Sequence, residues 1–320
     1  MLKAAAYRLL AAIPLLIGIT LVSFCLMKLA PGDPVTQFLD PRSSAQDIAQ
    51  MRHNLGLDQP IPIQYAKWLG GILKGHFGYS YSTGQPVLTL ILDRIGPTLL
   101  LSCSALLLIF GLALPVGLWT GAHAGKKADS WVTVLSFIGY SMPTFWLGLM
   151  LIVIFSVQFN AFPTSGFMDP GLEDSAWWMQ AGNVIWHMGL PLLTIVIGGC
   201  AGMIRYTRSS AIRVLGQDYI KAARARGLSE ARLLSKHALK NAALPIITIL
   251  GLELPGLIGG SFVIEYIFSW PGLGQLGIAS VFSRDYPVVM ATLLFSSILM
   301  IVGNLLADLA YQWADPRISD

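Results

Sequence analysis

The sequence predicts an all-α polytopic membrane protein with about six transmembrane helices, and three observations carry that expectation. Of 320 residues, 54% are hydrophobic and only 12% are charged, about half the charged fraction of a soluble domain. Mean hydropathy is +0.64. The apolar residues gather into stretches of roughly 20, the number that crosses a hydrocarbon core of about 30 Å at about 1.5 Å per residue. The charge deficit weighs more than the apolar excess. An exterior facing water needs Lys, Arg, Asp and Glu to cover it, whereas one facing lipid excludes them.

The first stretch runs from Leu9 to Leu29. Lys3 and Arg8 precede it, as in a secretory leader, but the run outlasts an ordinary h-region and no A-x-A site follows, so a retained helix is expected. Five further spans are expected at Thr98 to Thr120, Trp131 to Gln158, Val184 to Ile204, Ala243 to Phe268 and Val288 to Trp313. Residues 1–30 thus form an N-terminal transmembrane helix and 31–97 an extracytoplasmic segment. Residues 98–313 form a five-helix core with a cytoplasmic loop at 205–243, and 314–320 a cytoplasmic tail. The 31–97 segment is too long for a bare loop, and its patterns around Asp47 to Leu57 and Ile63 to Leu73 predict short amphipathic helices. Cys25, Cys103 and Cys200 all fall in apolar runs and read as small buried hydrophobes, not as a disulfide framework.

Orientation follows from the loop cations. Lys3, Arg8, Lys126, Lys127 and Arg317 mark one side. The loop after the fourth span adds Arg205, Arg208, Arg213, Lys221, Arg224, Arg226, Arg232, Lys236 and Lys240 against Asp218 and Glu230. Each cation would cost about 2.5 to 3.5 kcal/mol at a helix centre, so this loop must lie in water. Both termini are therefore expected in the cytoplasm of a multi-pass protein. On the opposite side, 160–183 holds Asp169, Glu173 and Asp174 with no Lys or Arg. Trp68, Tyr79, Tyr81, Trp177 and Trp178 read as interfacial aromatics.

The basic loop has an internal logic of helix, turn, helix. Tyr219 to Arg226 is rich in helix formers, Gly227 suits the left-handed conformation that ends a helix, and Ser229 is a natural N-cap for the next. Leu228, Leu233, Leu234 and Leu239 give the second segment an apolar face, and Pro245 opens the fifth span, where a missing amide donor does little harm.

These residues resemble a known family, the inner-membrane permease subunits of ABC importers. Its signature is a Glu-Ala-Ala triplet, a Gly four residues after the second Ala, and a Leu-Pro further on. The matching positions are Lys221, Ala222, Ala223, Gly227, Leu244 and Pro245. Lys221 departs from the Glu, and a basic residue in the context Ala223-Arg224-Ala225-Arg226-Gly227-Leu228-Ser229 resembles the dipeptide, oligopeptide and nickel branch. Further segments match in order: Pro31-Gly32-Asp33-Pro34, Leu55-Gly56-Leu57-Asp58-Gln59-Pro60, Phe77-Gly78-Tyr79-Ser80, Ser141-Met142-Pro143, Arg205 to Ser210, Phe268 to Gly274, Arg284-Asp285-Tyr286-Pro287 and Asp315-Pro316-Arg317.

The resemblance implies the type I ABC importer permease fold and a place in the bacterial inner membrane. It also implies a loop that seats a short coupling helix in a groove of a cytoplasmic ATPase. Ala222 and Ala223 would permit close approach, Gly227 would set the angle between the two helices, and the surrounding cations would supply charge complementarity. The implied partners are a second homologous permease, two ABC ATPase subunits, an extracytoplasmic peptide-binding protein and membrane lipid. With no G-x-x-x-x-G-K-[ST] loop in this chain, ATP and Mg are expected on the partner subunits and no cofactor here. The Pro163-Thr164-Ser165-Gly166 segment and the outer loop after it look like peptide permeases, which makes di- or oligopeptides the expected cargo and nickel or another small solute the alternative.

Competing readings are weaker. A positive-inside signal alone explains the cations but not the ordered Ala-Ala, Gly and Leu-Pro spacing. Nucleic-acid binding does not suit a short segment tethered between two spans. Glu253, ionisable at membrane depth, is a candidate for the translocation path; the opposing reading is a neutral, hydrogen-bonded carboxyl. Glu265 and Asp308 lie nearer span ends, where water or neighbouring loops would satisfy them. The five histidines are scattered over both sides, which predicts no metal cluster. A secondary transporter would need ion-coupling groups in which these spans, beyond Glu253, are poor, and a membrane enzyme would need a catalytic cluster that is not seen.

Overall fold

Long apolar runs fold as long helices because lipid offers the backbone no partners, so every amide must bond within its own segment. The computed structural model describes residues 2–29, 44–229, 232–233 and 262–314, and among these the regular elements are helical, with one isolated bridge between Tyr79 and Pro86. In order they are α1 (Leu2–Leu29), α2 (Ala45–Asn54), α3 (Ile61–Leu73), α4 (Val87–Ala122), α5 (Lys127–Ser141) and α6 (Thr144–Leu151), which runs into a π-helical segment (Ile152–Gln158). Then come α7 (Trp177–Leu215), α8 (Asp218–Ala225), α9 (Leu273–Phe282) and α10 (Tyr286–Ala314). Four helices are long and apolar enough to cross a membrane, over Leu10–Leu29, Val87–Ala122, Trp177–Leu215 and Tyr286–Leu306. The expected fifth span lies outside the described residues except for its last turns, 262–268.

The expected third span is broken. α5 and the α6 segment are bent by 100° where an unbroken helix from Trp131 to Gln158 was expected. Pro143 is the cause: it has no N–H to continue the ladder and it drives Met142 out of the helical region, where ψ is 127°.

The chain divides into two units, Met1–Thr98 with Pro271–Ile301, and Leu99–Trp270 with Val302–Asp320. In the first, Ser44 and Asp47 form a reciprocal capping box that starts α2, and those same bonds lower the Asp47 carboxyl. α3 opens on Pro60 with Pro62 in its first turn, where the missing donors cost nothing. It docks on α1 through Tyr65, whose hydroxyl lies 3.0 Å from Thr20 Oγ1 and donates to the Ile17 carbonyl at 3.3 Å. The core of this unit joins Val87 and Ile91 of α4, Leu273 of α9, and Val288 and Ala291 of α10. Thr98 Oγ1 accepts from the Leu273 amide at 2.8 Å, and Arg94 donates to Gln275 at 3.0 Å. Asp285, buried just before α10, accepts from Ser80 Oγ at 2.5 Å, Ser82 Oγ at 2.8 Å and the amides of Tyr81 and Ser82. That carboxylate fixes the turn leading into α4.

In the second unit three clusters line α7. Ile109 and Ala113 of α4 meet Val196, Cys200 and Met203. Leu147 and Leu151 of α6 meet Leu190 with Ile264 and Phe268. Leu101, Met188 and Trp270 form the last. Cys200 is buried as expected, but Cys25 and Cys103 are exposed; an apolar run in a span faces lipid as readily as protein, and hydropathy alone does not separate the two. Glu265 is 0% exposed, so water does not satisfy it.

Candidate coupling loop

α7 carries its helix well past the apolar stretch. The sequence placed Arg205, Arg208 and Arg213 in a loop, yet all three stand on α7, which ends only at Leu215. Hydropathy marks where lipid ends, not where a helix ends. Arg205 lies over the Phe137 and Tyr140 rings at 4.4 and 5.6 Å. Arg208 reaches Asp129 of α5 with two donors, Nε at 2.5 Å and Nη2 at 2.7 Å, while the Gly125 amide bonds the same carboxylate at 2.9 Å. Asp129 is 2% exposed while the Arg208 side chain keeps 27% of its surface open, so this forked pair is geometrically specific but only partly withdrawn from water. The sequence reading passed over it; the available signal was a lone acid among the cations at the start of a span.

The same end of α7 packs directly on α4. Gly117 and Gly121, four apart on α4, face Thr207 and Ala211, four apart on α7. A Cβ on Gly117 would stand 2.5 Å from Thr207 Cβ, and one on Gly121 would stand 2.6 Å from Ala211 Cβ. Small residues at this spacing let two helices approach until their backbones touch, and van der Waals packing then holds them where lipid supplies no hydrophobic drive. Helices α4, α5 and α7 are therefore clamped together at the end from which the loop departs.

After Gly216 and Gln217 the chain turns into α8. Ile220 (0% exposed) and Ala223 (7%) point inward and pack with Leu233, Leu215 of α7 and Leu228. Burying an Ile in this way contributes on the order of 2 kcal/mol, so α8 is seated on the end of α7. The helix ends in a Schellman motif: the Gly227 amide bonds the Arg224 carbonyl at 2.9 Å, the Leu228 amide bonds the Ala223 carbonyl at 3.3 Å, and Leu228 packs back on Ala223. Gly227 has φ +81°, a left-handed conformation that Gly adopts at no steric cost. Beyond the cap, the Leu233 amide bonds the Ser229 carbonyl at 2.9 Å.

The predicted site residues thus separate into two faces. Lys221, Ala222, Arg224, Arg226, Gly227 and Ser229 are exposed, Leu228 is half-buried and Ala223 is buried. Ala223 was expected beside Ala222 on an outward contact face. It instead points to the internal core, because at about 100° per residue it shares a side with Ile220. The opposite side carries Asp218, Lys221, Ala222 and Ala225, all exposed, with Lys221 Nζ 2.9 Å from Asp218; an exposed pair of this kind contributes little stability. Leu244, Pro245 and Glu253 lie outside the described residues. Among the described residues no group of three or more His, Cys, Asp or Glu is placed to hold a metal ion.

The family description "Binding-protein-dependent transport system inner membrane component" matches residues 113–320, and the N-terminal component of the same system matches residues 1–102. The chain belongs to the binding-protein-dependent transport system inner membrane component family. Among its relatives in that family, the oligopeptide transport system permease protein AppB of Bacillus subtilis is 46% identical over 312 residues, covering 97% of each chain. The dipeptide transport system permease protein DppB of Escherichia coli K12 is 39% identical over 335 residues, covering 99% of each. A solved structure of the MetNI methionine ABC transporter in inward-facing form superposes with a TM-score of 0.58 at 19% identity, covering 72% of this chain and 98% of that one. That likeness supports the shared transporter fold. The chain is accordingly a multi-pass inner-membrane permease component.

Proposed function

We propose that this chain is one permease subunit of an ATP-driven importer of di- or oligopeptides, and that α8 is the helix on which ATP hydrolysis acts. The observation that carries the reading is the two-faced loop. One side of α8 is cemented to α7 by Ile220, Ala223, Leu228 and Leu233, and the other offers the small Ala222 and Ala225 with the charged Asp218 and Lys221 to a partner. A displacement applied to α8 passes to α7, and through Gly117, Gly121 and the Asp129–Arg208 pair to α4 and α5, without loosening any packed contact.

The remaining partners follow. A second, similar permease completes the pathway. Two ATPase subunits bind ATP and Mg in the cytoplasm on the same side as both termini, and an extracytoplasmic peptide-binding protein delivers substrate. ATP draws the ATPase subunits together and turns the permease pair outward, and hydrolysis returns it inward. Each ligand acts only by binding one state better than the other. Peptide cargo is supported by the names of the AppB and DppB relatives.

The test is purification of the tagged chain from its native membrane in mild detergent, mass spectrometry of the accompanying subunits, and reconstitution for uptake of labelled di- and oligopeptides. Co-purifying ATPase subunits and a homologous permease, with ATP-dependent peptide uptake, are expected. A chain that elutes alone in several detergents would overturn the importer reading; an intact complex that takes up only another solute would overturn the peptide assignment.

A further inference from the structure

The end of α1 away from the N-terminus, helices α2 and α3, and the start of α10 enclose a cavity of about 560 Å³. Its walls are apolar and aromatic, including Phe24, Met27, Trp68 and Tyr286, and its cations are Lys28 and Lys67. No Asp or Glu lines it among the described residues. Of the two acids closest in sequence to its lining, Asp285 is held by Ser80 and Ser82, and Asp58 bonds His53 at 2.7 Å and also feels the Lys67 charge. Lys28 Nζ stands 5.3 Å from the Tyr286 ring centroid and 5.5 Å from that of Phe24, so aromatic faces hold this ammonium at the cavity wall.

The depth of the cavity points to its occupant. Tyr65 of α3 bonds Thr20, which stands nine residues before Leu29, about 14 Å down the α1 axis at about 1.5 Å per residue. α3 therefore lies alongside the membrane-spanning part of α1. It has no fully buried residue, and Ile61, Ile63 and Leu73 are exposed on it, as on a helix that rests its apolar side in the headgroup boundary. Below the cavity, α1 exposes Leu10, Ile13, Ile17, Leu21 and Val22.

We propose that this cavity binds an anionic phospholipid, its phosphate between Lys28 and Lys67 and its acyl chains along the exposed side of α1. Charged heads at the interface with apolar stems below are the arrangement such a ligand needs.

The experiment uses the full chain with its accompanying subunits in phosphatidylcholine vesicles containing phosphatidylglycerol, with lipid retention counted by native mass spectrometry. Wild type should retain phosphatidylglycerol over phosphatidylcholine. Each lysine is expected to contribute about fivefold in affinity, so Lys28→Gln with Lys67→Gln should weaken retention about twenty-five-fold. A second readout leaves the lysines intact: brominated phosphatidylglycerol should quench tryptophan emission in wild type, and Trp68→Phe should remove the component that saturates at the lowest lipid fraction. Equal retention in the double variant, no preference between the two lipids, or displacement of the lipid by a soluble dipeptide would overturn the proposal.

Discussion

Replacing Gly227 by Val tests whether the left-handed cap of α8 matters to coupling. A Cβ at this position meets nothing within 4 Å, so no neighbour clashes and the whole cost is in the backbone. At φ +81° an L-residue costs about 1–2 kcal/mol, and a β-branched one lies at or above that range. A chain that relaxes to negative φ avoids the strain but gives up the amide bonds of Gly227 and Leu228 and the seat of Leu228 on Ala223. A penalty of about 2 kcal/mol reduces the population of the closed cap about thirtyfold. In proteoliposomes holding the whole complex, substrate taken up per ATP hydrolysed should fall in the order Gly, Asn, Ala, Val, because Asn tolerates the left-handed region best of the three replacements. Insertion should be unchanged, and the melting temperature should fall by no more than the few degrees that a penalty of about 2 kcal/mol allows. Normal uptake by the Val variant would refute the reasoning. Equal loss in the Asn and Val variants would refute the backbone as its cause.

Three further outcomes are expected. Ala222→Leu should leave stability within about 0.5 kcal/mol of wild type, as for an exposed position, while lowering ATP-coupled uptake; Ala223→Leu should instead overpack the Ile220 and Leu233 contact and destabilise by about 1–3 kcal/mol, read by thermal unfolding in detergent. Gly121→Leu should cost at least as much, since even a Cβ would lie 2.6 Å from Ala211, whereas Gly111→Ala on the same helix meets nothing within 4 Å and should be neutral. Burial, with Asp285 and Tyr286 nearby, raises the Tyr81 phenol to about 12. A tyrosine in the unfolded chain ionises near pH 10, so the folded state keeps this proton longer. The associated stability is complete below about pH 10 and is lost as pH rises through about 12. Unfolding followed across that window should show the loss in wild type and its reduction in Tyr81→Phe.

How far the sequence could be read depended on what each residue's signal encodes. α1, α4, α7 and α10 were legible because hydropathy reports a bilayer crossing directly. The break at Pro143 was not, since one proline inside an apolar run barely changes its hydropathy yet removes a donor and redirects the chain. Arg208 read as a loop cation because its partner Asp129 is 79 residues away, and composition carries no such distances. In the candidate loop one local signal was readable: Gly227 ends α8, as its backbone preference dictates. The division between Ala222 and Ala223 was not, because it depends on which side of a two-turn helix meets Leu233. Cys25 and Cys103 were placed in the core for the same reason, since apolarity in a span does not distinguish protein from lipid.

The central claim is that the outer side of α8 docks on an ATP-hydrolysing subunit. The most direct measurement is photo-crosslinking from single positions of α8 in the intact membrane. Probes at residues 222 and 225 should yield adducts with the ATPase subunit, and probes at 220 and 223 should yield none. Adducts confined to 220 and 223, or absent at all four positions in membranes where the subunit is present, would contradict the account.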